Sequence, residues 1–366
     1  MNILFLTTHL NAGGITSYLF TLTKGLISSG HHVYLVSSGG NQEKDFLSLG
    51  AKSLRLNIKI KSELDLRLYL PVHFLKKYMK ECHIDVIHAQ TRVTQVMGNI
   101  LRKCTGVPYV ATCHGFFKPR FFRKIFPCWG DRTIAISSAV KEHLEKDFGI
   151  LPSYIDLVES GIDLQKFQSI DSTKREERRL SLGIKNECVV GIIARLSDVK
   201  GQDILIQAFQ LILKEHPYTK LLLVGEGKLM LDLKQIVKDL NIEKDVIFTP
   251  VVKEIKDYLD CIDIFVMPSR NEGLGLSIME AQACGLPVVA SRVGGIPALI
   301  EEGKTGFLVE PEDVQGLAGA IIDLIRNPQK AKNVGLCASR FAKTHYAAEK
   351  MTEKTVEVYQ KVLRND

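Results

Sequence analysis

The chain has 366 residues, of which 45% are hydrophobic and 24% charged, with a formal net charge of +7. This composition is typical of a globular protein and excludes disordered and fibrous classes, and the length suits two domains. No apolar run reaches the roughly 20 residues that span a bilayer, and the eight cysteines show no metal-ligand spacing. We therefore expect a cytoplasmic protein with reduced cysteines, and a first strand rather than a signal peptide at the N-terminus.

The positive charge is concentrated in the first half of the sequence. Residues 1–165 hold 20 Lys and Arg against 13 Asp and Glu, whereas residues 166–366 hold 28 of each kind. A positive charge confined to the first half favours an anionic partner there. That partner could be a membrane surface, a nucleic acid or an acidic substrate.

Short apolar runs alternate with amphipathic segments through the first half. Between the first two strands, Ile15, Tyr18, Leu19, Leu22 and Leu26 recur at helical spacing. Strands are predicted at Asn2–Thr8, His32–Ser37, Ile84–Ala89, Val107–Thr112, Arg132–Ser137 and Ile155–Ser160. This βα alternation predicts a parallel sheet covered by helices on both faces.

The alternation then pauses and resumes. The polar stretch Asp171–Leu180 is predicted to be an interdomain linker, and Ala347–Leu363 a helix that reaches back onto the first domain. Strands are predicted at Cys188–Ala194, Lys220–Val224, Val246–Thr249, Asp263–Met267, Pro287–Ser291 and Gly306–Val309. We predict two Rossmann-like, doubly wound α/β domains over residues 1–168 (joined by 347–366) and 169–346, with a ligand cleft between them.

The segment Asn271–Ser291, NEGLGLSIMEAQACGLPVVAS, combines a glycine-rich loop with a helix start. Gly273 and Gly275 allow a tight loop, and Gly285 ends the predicted helix. Glycine-rich backbone at a helix N-terminus offers N–H groups and a positive dipole end to phosphate oxygens.

Two carboxylates, Glu272 and Glu280, flank this loop. A carboxylate can accept hydrogen bonds from two vicinal hydroxyls of a ribose or sugar. Ser277 followed three residues later by Glu280 is also the pattern of a capping box, which needs no ligand. The local pattern leaves both interpretations open.

A wider set of motifs resembles a known family. PSRNEGLGLSIMEAQACGLPVVASRVGG, GKTGFLV and the upstream GIIARLSDVKGQDILIQAF resemble the GT-B fold, family 4 (GT4-type) glycosyltransferases, with Glu272 and Glu280 as the E-x7-E carboxylates. The resemblance covers nearly the whole chain and is strongest from about residue 188 to 310. It departs from the family pattern at Ser160 and Ala298.

The resemblance implies roles for the donor segment. It implies that Glu280 holds the ribose hydroxyls and Glu272 the hydroxyls of the donor sugar. The amides of Leu274, Gly275 and Leu276 would face the diphosphate or the sugar.

The resemblance also places two cations, Arg195 and Lys200, against the diphosphate leaving group. Fixed cations would stabilise the negative charge that builds there when the sugar–phosphate bond breaks. Read without the resemblance, both residues are typical of a solvated strand end and helix start.

Two features of the first half would complete the site. Gly13 and Gly14 open the first helix, so they form either a plain βα turn or a second phosphate-facing helix start. His114 follows a strand at the mouth of the predicted sheet. Alone it is typical of a hydrogen-bonded structural residue, whereas the resemblance implies a contact with the donor sugar beside the anomeric carbon.

The segment Phe116–Trp129 mixes five Phe and the single Trp with four basic residues. Aromatic and basic side chains suit an anionic lipid surface, although core packing also explains several Phe, and nucleic acid is disfavoured beside these motifs. The predicted membrane or acceptor side consists of Phe117, Lys118, Arg120, Phe121, Phe122, Arg123, Lys124 and Trp129.

The sequence therefore predicts a retaining glycosyltransferase with His114, Arg195, Lys200 and Glu272 as catalytic candidates. It would move a hexose-type sugar from a nucleoside-diphosphate sugar, UDP by default, to a lipid-linked or polysaccharide acceptor at the cytosolic membrane face. We expect no bound metal and no cofactor beyond the donor, since no D-x-D-type or His/carboxylate cluster occurs. The alternatives are an epimerase or phosphorylase of the same fold and a non-catalytic nucleotide-sugar-binding protein.

Overall fold

The computed structural model describes residues 1–58, 65, 68–119, 123, 125–168, 172–250 and 254–364. The chain forms two compact units, one of Met1–Gly161 with Ala348–Asp366 and one of Ile162–Ala347. The chain first passes from one unit to the other after Gly161, a few residues before the domain boundary predicted at residue 168. None of the helices in these described ranges is long and apolar enough to cross a membrane.

The N-terminal unit is built on a seven-stranded parallel sheet. Its strands are β1 (Asn2–Leu6), β2 (His32–Ser37), β3 (Lys52–Arg55), β4 (Val86–Ala89), β5 (Tyr109–Cys113), β6 (Arg132–Ala135) and β7 (Ile155–Leu157), in the order β3-β2-β1-β4-β5-β6-β7. The sequence prediction missed β3, because this four-residue edge strand has no fully buried residue and so no apolar run.

Helices cover this sheet. They are α1 (Gly14–Ser28), α2 (Glu43–Ser48), α3 (Val72–Glu81), α4 (Arg92–Thr105) and α5 (Ser138–Phe148), and the C-terminal helix Ala348–Arg364 packs against α1. Gly25 makes that packing close, since a Cβ there would lie 2.1 Å from Thr352 Oγ1.

The C-terminal unit is built on a six-stranded parallel sheet. Its strands are β8 (Cys188–Ile193), β9 (Thr219–Val224), β10 (Val246–Thr249), β11 (Ile264–Met267), β12 (Val288–Ser291) and β13 (Phe307–Val309), in the order β10-β9-β8-β11-β12-β13. Its helices are α6 (Ser172–Ser181), α7 (Gln202–Glu215), α8 (Met230–Asp239), α9 (Lys256–Leu259), α10 (Leu276–Ala283), α11 (Val314–Arg326) and α12 (Pro328–His345), and the C-terminal helix of the N-terminal unit is α13.

The linker prediction for Asp171–Leu180 is wrong. From Ser172 onward this segment is helix α6, which packs within the C-terminal unit. Arg179 donates to Asp263 Oδ2 at 2.5 Å, and Arg175 donates to Asp260 O at 2.6 Å. The helix is therefore held by ion pairs and hydrogen bonds of its arginines, which a reading for apolar periodicity does not detect.

The predicted fold class is confirmed, because both sheets are all-parallel and doubly wound. Strand order reverses between β1 and β4 in one sheet and between β8 and β11 in the other. Ligands of such sheets bind outside the carboxyl ends of the strands at these switch points.

Candidate active site

The loop after β11 places one carboxylate of the donor motif below the protein surface. Glu280, on α10, is only 6% exposed, and no described residue donates a hydrogen bond to its carboxylate. Burial raises the pKa of Glu280 to about 8, and the nearby charge of Lys166 opposes this shift. A buried carboxyl group without a partner is costly, so this position favours a ligand that supplies hydroxyl donors.

The capping-box interpretation fails at this helix. Its N-cap is Gly275, with a φ of 106°, and no side-chain hydrogen bond caps the helix. Ser277 lies inside the helix, so it cannot act as the cap residue. The N–H groups of Leu276 and Ser277 therefore have no intrahelical partner, whereas Ile278 N already donates to Gly275 O at 3.0 Å, and Leu274 is buried.

The second carboxylate, Glu272, forms an ion pair with the predicted cation Lys200. Lys200 Nζ donates to Glu272 Oε2, and their side chains are 20% and 13% exposed. Gly201 makes this approach possible, because its φ is 66° and a Cβ there would lie 2.0 Å from Pro268 O. The structure thus brings Lys200 and Glu272 together at the switch point between β8 and β11.

A residue that the sequence analysis missed, Arg270, holds this arrangement in place. Its guanidinium donates twice to Asp203, at 2.9 and 2.7 Å, and to Asp198 O at 2.9 Å. Its own backbone N–H donates to Val199 O at 2.9 Å. Arg270 therefore ties the turn that carries Lys200 to the loop that carries Glu272. The only signal in the sequence was its position two residues before Glu272.

The other predicted cation, Arg195, lies after β8 and is exposed. Its carbonyl accepts a hydrogen bond from Gln202 Nε2 at 3.0 Å, and no described residue pairs with its guanidinium. Its backbone is fixed and its side chain is free to meet an anion at the same sheet edge as Lys200.

In the N-terminal unit, the predicted Gly13 and Gly14 lie exposed at the start of α1. The loop before them is tied to the loop after β2, because Ala12 N donates to Asn41 Oδ1 at 3.0 Å and Asn41 N donates to Asn11 Oδ1 at 3.1 Å. This helix start is open and held in place, at the switch point between β1 and β4.

His114 follows β5 and its ring is held on two sides. Its Nε2 lies 2.8 Å from Gln90 Oε1, and the Tyr18 ring contacts it edge-on with centroids 4.8 Å apart. Because the amide oxygen of Gln90 accepts, Nε2 carries the proton and Nδ1 is the acceptor. Burial lowers the pKa of His114 to about 3, so the imidazole is neutral at physiological pH. Gln90 is a second residue that the sequence analysis missed.

The aromatic and basic segment is only partly exposed. Trp129 was predicted on the membrane side, but it is 6% exposed and packs against Phe117 and Phe148 with ring centroids 6.0 and 5.2 Å away. That assignment is wrong for Trp129, because the indole fills a core between these rings. Lys118 is exposed, and the Arg123 guanidinium lies over the Phe117 ring, 4.7 Å from its centroid. Arg120, Phe121, Phe122 and Lys124 lie outside the described residues.

In the part of the chain that the structure describes, no group of three or more His, Cys, Asp or Glu side chains is arranged to hold a metal ion.

Two family models match the chain, one mainly in each of its two compact units. Residues 12–166 match the family Glycosyltransferase Family 4, and residues 174–339 match Glycosyl transferases group 1. The family predicted from the motifs is therefore confirmed.

Two curated relatives are enzymes with nucleotide-sugar donors in their names. One is the GDP-mannose-dependent alpha-(1-6)-phosphatidylinositol monomannoside mannosyltransferase of Mycolicibacterium smegmatis, 35% identical over 191 residues that cover 50% of this chain and 50% of the relative. The other is the UDP-Gal:alpha-D-GlcNAc-diphosphoundecaprenol alpha-1,3-galactosyltransferase of Escherichia coli, 30% identical over 264 residues that cover 68% of each protein.

Among solved structures, Anabaena HepE in complex with UDP-glucose superposes with a TM-score of 0.87 at 24% identity, covering 99% of this chain and 100% of that one. A glycosyltransferase from Rickettsia africae has a TM-score of 0.87 at 21% identity, covering 100% and 99%. These likenesses support the GT-B fold.

Proposed function

The chain belongs to the GT4-type glycosyltransferases, and from that premise we propose that it is a retaining hexosyltransferase. It would use a nucleoside-diphosphate sugar, with UDP as the default, and a hydroxyl of a lipid-linked or polysaccharide acceptor at the cytosolic membrane face. The names of the two curated relatives support this class of donor and, for both, a lipid-linked acceptor.

The observation that carries the proposal is the buried carboxyl group of Glu280, which lacks a hydrogen-bond partner among the described residues. Vicinal ribose hydroxyls would supply the missing donors and offset the cost of burial. The N–H groups at the start of α10, beside Gly275, would receive the phosphate oxygens.

Two cations, Lys200 and Arg195, would act on the leaving group, and Glu272 would act on the sugar. In the reaction, the bond between the anomeric carbon and the phosphate oxygen breaks, and a bond from the acceptor oxygen forms on the same face of the sugar. The acceptor proton passes to the departing phosphate, whose negative charge Lys200 and Arg195 stabilise. Glu272, oriented by its ion pair with Lys200, accepts from the sugar hydroxyls.

The N-terminal unit contributes neutral groups. His114 presents its Nδ1 as an acceptor for a sugar hydroxyl, because Gln90 holds the opposite nitrogen. The open helix start at Gly13 and Gly14 offers further N–H donors to the phosphates or the acceptor.

The test has two stages. A thermal-shift screen with UDP, GDP, ADP and their common sugars identifies the donor, since a ligand that binds the native state raises the melting temperature. Transfer to a polyprenyl-phosphate-linked sugar is then followed by NMR of the anomeric proton. An α-linked product from an α-linked donor supports the proposal. Donor consumption that needs no acceptor would indicate an epimerase or hydrolase, and dependence on free phosphate would indicate a phosphorylase. Donor binding without any turnover would indicate a non-catalytic protein.

A further inference from the structure

An exposed apolar cluster lies at the start of α3. Leu70 is 78% exposed, Phe74 48% and Tyr69 46%. Tyr69 and Leu70 lie in the turn just before α3 and Phe74 lies in its first turn, and a run of exposed large apolar side chains of this kind marks an interaction site.

The helix that carries Phe74 and follows Tyr69 and Leu70 is anchored on its other side. Leu75 and Met79 are fully or almost fully buried in the core of the N-terminal unit. The exposure of Phe74 therefore does not come from a loosely packed helix. On the solvent side, the same helix presents three exposed lysines, Lys76, Lys77 and Lys80.

The end of the helix fixes where the cluster lies on the sheet. Asn2 Nδ2, at the amino end of β1, donates to Cys82 O and His83 O at 3.0 Å each, so α3 ends at the amino edge of the sheet. A ten-residue helix is about 15 Å long, close to the length of a five-residue strand. The cluster at its start therefore lies toward the carboxyl edge, where His114 also lies.

A second pair of exposed apolar residues lies near the start of α4, the helix that packs against α3. Ile125 is 51% exposed and Phe126 61% exposed. Arg92, the first residue of α4, donates to Phe126 O and Pro127 O at 2.6 Å each. Both sets of exposed apolar residues are thus fixed to the helix pair α3 and α4 at the same edge of the sheet.

We propose that the start of α3 is a docking surface for an anionic membrane, in which Tyr69, Leu70 and Phe74 enter the headgroup region and Lys76, Lys77 and Lys80 contact anionic lipids. Apolar side chains flanked by lysines match a negatively charged bilayer better than they match a second copy of this basic unit. This docking surface adds to the proposed function and rests on it in one respect: the acceptor is assumed to be lipid-linked and so to be presented at this edge.

Vesicle co-sedimentation tests the surface directly. The full chain is mixed with vesicles of phosphatidylcholine alone and of phosphatidylcholine with phosphatidylglycerol, at low and high salt. The wild-type protein should bind the anionic vesicles at low salt. The double variant Leu70→Ser/Phe74→Ser should bind at least about tenfold more weakly, because its apolar anchors are lost. Its control is Leu231→Ser/Tyr218→Ser in the C-terminal unit, at residues 79% and 83% exposed, which should bind as the wild type does.

The charge component has its own pair of variants. Lys76→Glu/Lys80→Glu should weaken binding at least about tenfold, since each basic residue near an anionic surface contributes about fivefold. Lys332→Glu/Lys343→Glu, at exposed positions of α12, should have little effect. Wild-type binding by either α3 variant, or no wild-type binding to anionic vesicles, overturns the proposal. A wild-type dimer that Leu70→Ser/Phe74→Ser converts to a monomer also overturns it, since the patch would then be an interface between copies.

A nucleotide thermal shift on every variant separates this proposal from the proposed function. An unchanged UDP shift in the α3 variants shows that they are folded and that only lipid binding is lost. If the wild-type protein binds anionic vesicles through α3 but no nucleotide raises its melting temperature, the docking surface stands and the donor assignment fails.

Discussion

Each unit begins a helix on glycine at a strand-order switch point, but the charges around the two helix starts differ. At α10 in the C-terminal unit, the helix carries the buried carboxyl of Glu280, and the loop before it carries Glu272, which pairs with Lys200. At α1 in the N-terminal unit, Gly13 is exposed, and the nearby switch-point residue Gln90 holds a neutral His114. The candidate site residues of the C-terminal unit are thus ionisable groups, whereas those of the N-terminal unit are neutral.

The proposed reaction explains this difference. Charge accumulates on the nucleoside diphosphate as it leaves, so fixed cations are needed around it. The attacking acceptor hydroxyl and the sugar hydroxyls are neutral, and a neutral imidazole can accept from them at any physiological pH. The following predictions test this contrast, from the largest expected effect to the smallest.

The largest effect is expected for Lys200→Ala. Loss of the cation that stabilises the leaving group should lower kcat by about 100- to 1000-fold, with a smaller change in KM. The control is Lys228→Ala, because Lys228 is 69% exposed and pairs with Asp198 of the same turn. Full turnover in Lys200→Ala would show that the ionisable site is structural.

Glu280→Ala should weaken donor binding by about 100-fold, because two hydroxyls lose the carboxyl oxygens that would accept from them. Isothermal titration calorimetry with the donor identified in the nucleotide screen measures this loss. Unchanged affinity would remove the observation on which the donor assignment rests.

Glu280→Gln should make the unliganded protein more stable than the wild type, and this difference should grow as the pH rises. The folded wild-type protein keeps the Glu280 proton up to a pKa of about 8, whereas the unfolded chain releases it near 4.5. Burial of this carboxyl therefore destabilises the fold progressively from about pH 5 to about pH 8, and Gln, which has no charge to bury, avoids this loss. Urea unfolding at pH 5 and pH 8 should show a gain on the order of 2 kcal/mol that is present only at the higher pH. If the gain in unfolding free energy were the same at both pH values, Glu280 would not be the buried carboxyl group that loses its proton on unfolding.

Gln90→Glu should introduce a pH dependence that the wild-type enzyme lacks. A carboxylate beside Nε2 favours the imidazolium, so the pKa of His114 rises from about 3 toward its ordinary value. The rate should then fall about tenfold between pH 8 and about pH 5.5, relative to the wild type. Gln90→Met removes the hydrogen bond without adding a charge, and its rate should be lower with no new acidic limb. Parallel profiles for Gln90→Glu and the wild type would show that His114 does not need to be neutral.

The smallest effect is expected for EDTA. If Lys200 and Arg195 provide the cations for the leaving group, transfer should continue unchanged after dialysis against the chelator. A loss of about tenfold or more that Mg²⁺ restores would contradict this part of the contrast.

Much of the fold could be predicted from the sequence because buried parallel strands are nearly continuous apolar runs. Strands such as β8 and β11 follow this rule, and Gly275 and Gly285 mark the two ends of helix α10. Strand β3 and helix α6 did not follow it, since one is a half-exposed edge strand and the other is held by ion pairs.

The sequence by itself therefore determined the fold class and the family, and it singled out Glu272 and Glu280 as candidate donor-binding carboxylates. The tertiary structure alone decided that Glu280 is buried without a partner, that Arg270 joins the turn of Lys200 to the loop of Glu272, and that Gln90 holds His114. It also moved Trp129 into a core and exposed the start of α3. Each of these facts depends on burial or on contacts between residues that lie far apart in the chain, and local sequence patterns carry no record of such contacts.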